Sequence, residues 1–211
     1  MIIAIEGAST DLSIALRDAD GGTASTSWTS ARRQSAELMP RLLQLLSAHG
    51  RDLAELRGVA VGTGPGSFTG LRVAMAIAKG LAAALDRPIV GIPSLVAWLA
   101  AEPSAEAALA RAGARDAYLL GRGDDAIRIV DRDQLPALLT GRSIVAPGEL
   151  ADAFGLRGAS PPSSAAVAIA RRAAERLDAD GAGDDMRRLE PIYLRAPRGV
   201  SVEPAAEVRW L

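Results

Sequence analysis

Apolar positions along this chain fall into short segments whose spacing predicts an element for each. Ile2–Glu6 (IIAIE) is an almost wholly apolar run of the length of a buried strand. Asp11–Arg17 (DLSIALR) alternates, as does Thr23–Ser27, and Asp18-Ala19-Asp20-Gly21-Gly22 between them reads as a hairpin turn. An antiparallel three-stranded meander therefore opens the chain. Leu38, Leu42, Leu45 and Leu46 share one stripe of a helix within Ser35–His49, begun or kinked near Pro40. Strand 58–62, helix 67–85, strand 88–92 and a helix from Pro93 to about Ala101 complete a βββαβαβα order. Strands separated by helices pair in parallel through right-handed crossovers, which adds the later strands to the edge of the meander.

The second half carries a thinner pattern. Ala117–Gly121 and Ala126–Val130 read as a hairpin around Gly123-Asp124-Asp125. A short helix near Gln134–Leu139, a strand at Ser143–Ala146 and helical segments at 148–154 and 163–178 follow. Glu102-Pro103-Ser104 marks the boundary between an N-terminal unit, 1–102, and a smaller C-terminal unit, 103–211, whose tail can pack back on the first. The Ala-rich stretch Ala105–Ala112 predicts a helix extending the connection.

Helix 67–85 is apolar nearly all round. Leu71, Ala74, Met75, Ala78, Leu81, Ala82 and Leu85 form the stripe a sheet would bury. Val73, Ile77, Gly80 and Ala84 make a second face, and Arg72, Ala76, Lys79 and Ala83 a third with small residues between two cations. The 38–48 helix is similarly broad, since Met39 and Leu43 widen its stripe. Either the second unit covers these faces or another protein does, and small surface residues suit close helix packing.

Composition narrows the chemistry. With 24 basic and 25 acidic side chains the net charge is −1, so no broad field draws the chain to nucleic acid or an anionic membrane. Arg32-Arg33, Arg171-Arg172 and Arg187-Arg188 are isolated pairs rather than a phosphate track. The chain has no cysteine, which removes disulfide and thiolate chemistry. Its one histidine, His49, precedes Gly50 at a helix end, where it reads as part of a cap. A zinc site and a Ser-His-Asp relay therefore lack residues. The first residues lack the basic start of a signal peptide, and Arg72, Lys79 and Asp86 interrupt the longest apolar stretch. The expectation is a cytoplasmic protein with no membrane contact.

The densest local signal is Val59–Arg72, VAVGTGPGSFTGLR. Glycine at 62, 64, 66 and 70 permits close backbone approach, Pro65 restricts one φ, and Ser67 and Thr69 place hydroxyls beside the unpaired N–H groups of a first helical turn. Two readings stand. The loop cradles an anion at a helix N-terminus, with Gly64, Gly66, Ser67 and Thr69 as candidate nucleotide contacts, or its glycines let the helix pack tightly on the sheet. Neither GxxxxGK[ST] nor GxGxxG followed by an acid is present.

The βββαβαβα order is similar to the ribonuclease-H-like module of the actin/Hsp70/sugar-kinase (ASKHA) superfamily. It implies an α/β fold of two such modules, the second reduced, with ligand held between them. The GTGPGSFTGLRVAMAIAKGLA segment, with Ser94 after Gly91-Ile92-Pro93, closely resembles the TsaB (YeaZ) family. So do Ile3-Ala4-Ile5-x-x-x-Ser9-Thr10, Ser35-Ala36-Glu37-Leu38-Met39-Pro40 and Pro191-Ile192-Tyr193-Leu194-Arg195. The likeness is strong over 1–100, weak over 103–185, and returns at 191–195.

That resemblance implies a non-catalytic subunit of the bacterial machinery that forms N6-threonylcarbamoyladenosine at position 37 of tRNAs reading ANN codons. Its partner would be a TsaD-type paralogue, which holds a metal through an HxxxH pair and transfers the carbamoyl group. A TsaE-type ATPase would join that pair, and tRNA would be met only indirectly. Docking would use Leu38, Met39, Leu42, Leu43 and Leu46 of one helix with Arg72, Val73, Ala76, Ile77, Lys79, Gly80 and Ala83 of the other. The isolated chain could form a homodimer through the same surface. Where the paralogue carries its histidines this chain has Pro93-Ser94-Leu95-Val96-Ala97-Trp98, so neither metal nor cofactor is expected; a nucleotide at the partner interface stays open. The family usually opens its first loop with Asp-Thr-Ser, whereas this chain reads Glu6-Gly7-Ala8-Ser9. The alternative is an ATP-binding enzyme of the superfamily, with Glu6 organising magnesium and 64–69 as the phosphate loop.

Overall fold

The computed structural model describes residues 1–30 and 33–194. Strands β1 (Ile2–Glu6), β2 (Asp11–Arg17) and β3 (Thr23–Thr29) form the meander, and β4 (Gly58–Gly62) and β5 (Ile89–Ile92) extend it in parallel. The sheet order is β3-β2-β1-β4-β5, with Ile5 opposite Ile14 on one side and Val61 on the other. Alternation along these strands splits the core in two. Ile3, Ile5, Leu12, Ile14, Val59 and Val61 face helices α1 (Gln34–Ala48) and α2 (Phe68–Leu85). On the opposite face Ile2, Ala4, Ala15, Ala60 and Val90 meet α6 (Ala165–Asp180) through its Ala166, Ile169, Ala170 and Ala173. Small residues on both sides of that contact let the helix approach the sheet closely.

Helix α3 (Ser94–Ala101) leads into a second sheet of order β8-β7-β6-β9. It is built from β6 (Ala107–Arg111), β7 (Asp116–Gly121), β8 (Arg128–Asp131) and the two-residue β9 (Ile144–Val145), with α4 (Leu135–Leu139) and α5 (Gly148–Phe154) flanking β9 in sequence. Trp98 of α3 is fully buried in a cluster joining Ala8 and Leu71 to Ala108, Ala110, Tyr118 and Leu120, so the two sheets share one apolar junction.

Two expectations are corrected. The Ala105–Ala112 stretch is strand β6, fully buried over Ala107–Ala110 and paired to β7 and β9. Alanine's helix preference amounts to less than about 1 kcal/mol per residue, and two flanking strands with burial on both faces outweigh it. Helix α1 does not begin near Pro40 but at Gln34, with the proline inside it. The proline lies exposed, so the carbonyl its missing N–H leaves free can meet water. Among the described helices α2 alone is long and apolar enough to cross a membrane, and its Leu71-Ala74-Ala78 stripe is fully buried against the sheet.

Candidate functional site

The loop between β4 and α2 lies backbone to backbone against the loop that follows β1. Ser67 N–H donates to the Ala8 carbonyl at 2.6 Å, and the Ser67 hydroxyl caps α2 by accepting from Gly70 N–H at 3.2 Å. Gly64 N–H donates to Ser94 Oγ at 3.0 Å, while Ser94 N–H returns to the Gly64 carbonyl at 2.9 Å across a loop whose Gly64–Pro65 peptide is cis. A Cβ at Gly66 would lie under 3.0 Å from the Ala8 backbone, and one at Gly70 under 3.0 Å from the Gly7 carbonyl. Close approach is thus what these glycines supply. The N–H groups of Gly64, Ser67 and Gly70, which an anion cradle would aim outward, are already engaged within the chain.

Glu6 lies beneath this contact. It is 0% exposed, with Oε1 accepting from Ala8 N–H at 2.5 Å and from the Ser94 hydroxyl at 3.1 Å. Oε2 and the Trp98 indole N–H are both buried and, among the described residues, have no partner in bonding geometry. Burial pushes the Glu6 carboxyl up to about 7, against the opposing pull of Ala8, Ser94, Trp98 and Gly7. A carboxyl enclosed in this way has no surface to offer magnesium or a nucleotide. The five candidate nucleotide residues do not converge either: Glu6 is enclosed, Gly64 is buried, Gly66 is half-buried under Ala8, Ser67 is occupied in capping, and Thr69 points outward. Between the two sheets a cavity of about 270 Å³ is lined by Ala8, Ser9, Ser67, Phe68, Arg111 and Glu149. Arg111, which sequence reasoning passed over, leans there on the carbonyls of Gly113 and Glu149 at 3.4 Å each. No group of three or more His, Cys, Asp or Glu side chains gathers among the described residues.

The helix faces divide more sharply than periodicity alone predicts. Leu38, Leu42 and Leu46 are core residues, 0%, 0% and 3% exposed, because the sheet itself takes up their stripe; they leave the candidate interface. Met39 is half-buried, and Leu43 stands 44% exposed. On α2, Arg72, Ala76, Gly80 and Ala83 are exposed, while Val73, Ile77 and Lys79 are half-buried. These nine residues lie on the outward surfaces of α1 and α2, helices packed against each other. Among the described residues, nothing outside the helix's own backbone lies within 4 Å of a Cβ built on Gly80.

Residues 184–194 form a strap across the first sheet and α2. Asp184 is pinned by its N–H to the Ile89 carbonyl at 2.7 Å, by Gly91 N–H to its carboxylate at 2.7 Å, and by Arg176. Ile192 N–H reaches the Thr63 carbonyl at 2.8 Å. Tyr193 then packs on Phe68, with ring centroids 5.6 Å apart, and its hydroxyl accepts from Arg72 Nε at 3.2 Å. This placement accounts for the isolated motif at 191–194, whose partners lie more than a hundred residues upstream and left no local signal. Arg195 and Arg32 lie outside the described residues.

A family model described as TsaD: tRNA N6-adenosine threonylcarbamoyltransferase matches residues 25–152, a span holding α1, the glycine loop and α2. The chain belongs to this family, in its TsaB (YeaZ) branch. It is similar to the tRNA threonylcarbamoyladenosine biosynthesis protein TsaB of Escherichia coli (strain K12), at 34% identity over 95 residues. That match covers 45% of this chain and 41% of the relative, so the chain spans less than half of it. An uncharacterized protein of Mycobacterium tuberculosis (strain ATCC 25618 / H37Rv) is 33% identical over 177 residues, 79% of this chain and 77% of the relative. The solved structure of YeaZ from Pseudomonas aeruginosa aligns with a TM-score of 0.68 at 22% identity, over 92% of this chain and 99% of that one. The α/β fold here, a mixed five-stranded sheet beside a smaller four-stranded one, is accordingly that of the YeaZ structure.

Proposed function

We propose that this chain is a non-catalytic subunit that docks its α1–α2 face on a TsaD-type transferase. It would thereby support formation of N6-threonylcarbamoyladenosine at position 37 of tRNAs that read ANN codons. The observation that carries this reading is Gly80. Glycine in a helix interior costs about 1 kcal/mol relative to alanine, and here it is exposed, with no described residue beyond its own helix backbone within 4 Å of where a Cβ would stand. No contact among the described residues requires it. Flanked by exposed Ala76, Ala83 and Ala84, it makes a shallow surface on which a second helix can approach to about 8 Å. Val73, Ile77, Met39 and Leu43 supply apolar area worth about 25 cal/mol per Å² before association costs.

A supporting rather than catalytic role fits the buried Glu6, the engaged loop N–H groups and the absence of any metal ligand in residues 93–98. In this reading a TsaE-type ATPase joins through the assembled pair, tRNA is met indirectly, and the setting is the bacterial cytoplasm. A homodimer would compete for the same face. The deciding experiment is titration calorimetry with the TsaD-type paralogue from the same source. Ala76→Glu with Ala83→Glu is expected to weaken binding by about a hundredfold or more, with circular dichroism and Tm unchanged, since two carboxylates would be buried unpaired. Retained binding would remove this interface. Gly80→Ala gives the complementary result: the free chain gains about 0.5–1 kcal/mol in urea denaturation, while affinity for the paralogue falls. ATP turnover by the isolated chain would favour the enzymatic alternative.

A further inference from the structure

Apolar helix-on-helix packing names no partner group for two features: the cations at the edge of the α2 face and the strap motif at 191–194. They meet in one place. Between α2 and the strap runs a groove of about 340 Å³, floored by Met75 and Leu189 and edged by Arg72, Lys79, Glu190 and Tyr193. Ala76 and Lys79 line this groove and also belong to the proposed docking face, so the two surfaces are continuous.

Arg72 is pre-arranged in this groove. Its guanidinium lies 3.9 Å from the centroid of the Phe68 ring, and its Nε donates to the Tyr193 hydroxyl at 3.2 Å. A stacked guanidinium held at Nε keeps its terminal NH₂ groups for another acceptor, and its planar fork suits a carboxylate. Among the described residues neither Arg72 nor Lys79 takes part in an ion pair. The two cations outnumber the single acid, Glu190, so the groove carries excess positive charge over an apolar floor. It is preformed, because the strap is anchored on both sides of Leu189, at Asp184 and at Ile192.

We infer that this groove receives a carboxylate-bearing segment of the transferase paralogue, an Asp or Glu beside an apolar side chain, with Tyr193 as the positioning residue for Arg72. The inference rests on the docking reading above and adds what the partner must present. The charge balance and the apolar floor together favour a protein side chain over a bare anion.

The test is calorimetry of the full chain with its TsaD-type paralogue between 50 and 300 mM salt. Wild-type affinity is expected to fall as salt rises. Arg72→Gln with Lys79→Gln, neutral and similar in length, is expected to bind about tenfold more weakly at low salt and to lose most of that salt dependence. Tyr193→Phe keeps the ring packing but loses the hydroxyl, and is expected to show a several-fold loss with the same enthalpic sign. Circular dichroism confirms that each variant is folded. If the Gln pair binds like the wild type, the groove is overturned while helix docking, tested separately by Ala83→Glu outside the groove, still stands. If the wild type does not bind the paralogue, both readings fall together. If the Gln pair keeps the paralogue but loses affinity for added ADP, the occupant is a phosphate and the inference is overturned.

Discussion

Gly66→Ala is expected to destabilise the chain by about 3–5 kcal/mol, although the substitution adds a single methyl group. That methyl would enter space held by the Ala8 carbonyl, with the Ala8 carbonyl carbon and Cβ also under 3.0 Å away. The closest obstacles are backbone atoms at the root of β2, so no side-chain rotation relieves the overlap. The two loops must part, which breaks the 2.6 Å bond from Ser67 N–H to Ala8 and pulls Ser67 away from its capping position on α2. A buried hydrogen bond and a helix cap each contribute about 1 kcal/mol, and the displaced packing adds the rest. Urea denaturation measures the loss, with Gly80→Ala as a control expected to move in the opposite direction. A loss below about 1 kcal/mol would mean that the loops are not in backbone contact.

Glu6→Gln should flatten the pH dependence of stability over the acidic half of the physiological range. In the unfolded chain this carboxyl titrates near 4.5, and in the folded chain burial raises it to about 7. Between those values the folded state holds a proton that the unfolded state has lost. The contribution is therefore complete below about 4.5, falls as pH rises towards 7, and is gone above it. A shift of this size corresponds to about 3 kcal/mol, a large part of the stability of a domain. Glutamine carries no titrating proton. The stability difference between Glu6→Gln and wild type should therefore move by about 3 kcal/mol in favour of glutamine from pH 4.5 to 8, whatever glutamine's own packing cost. Urea denaturation at four pH values in that range reads the difference. A constant offset would show that Glu6 is not the buried titrating group.

Both predictions concern residues whose identity was legible in the chain but whose surroundings were not. Four glycines after an apolar run announced close backbone approach, yet an anion and a neighbouring loop make the same demand on a glycine. The Ala8 carbonyl, 58 positions before Gly66, decided between them. An acid at the end of β1 reads as a metal or base residue until Ser94 and Trp98, about ninety positions later, are folded over it. The stripe of Leu38, Leu42 and Leu46 showed which side chains share a helix face, but periodicity is silent on whether a sheet or a partner covers it. In the Ala105–Ala112 segment, alanine's small helix preference was the one local signal, and pairing with β7 and β9 reversed it.

The sequence by itself determined the first module's element order, its parallel-onto-meander topology, and the stripe of α2 that is buried. Those follow from period-2 and period-3.6 burial and from turn residues, all of which act over a few neighbouring positions. Only the tertiary structure decided that the glycine loop packs on backbone, that Glu6 is enclosed, that three leucines of α1 belong to the core, and that the strap builds a cationic groove on α2. Each of these depends on which distant residue supplies the opposing surface, and that is a property of the packed chain rather than of any local segment.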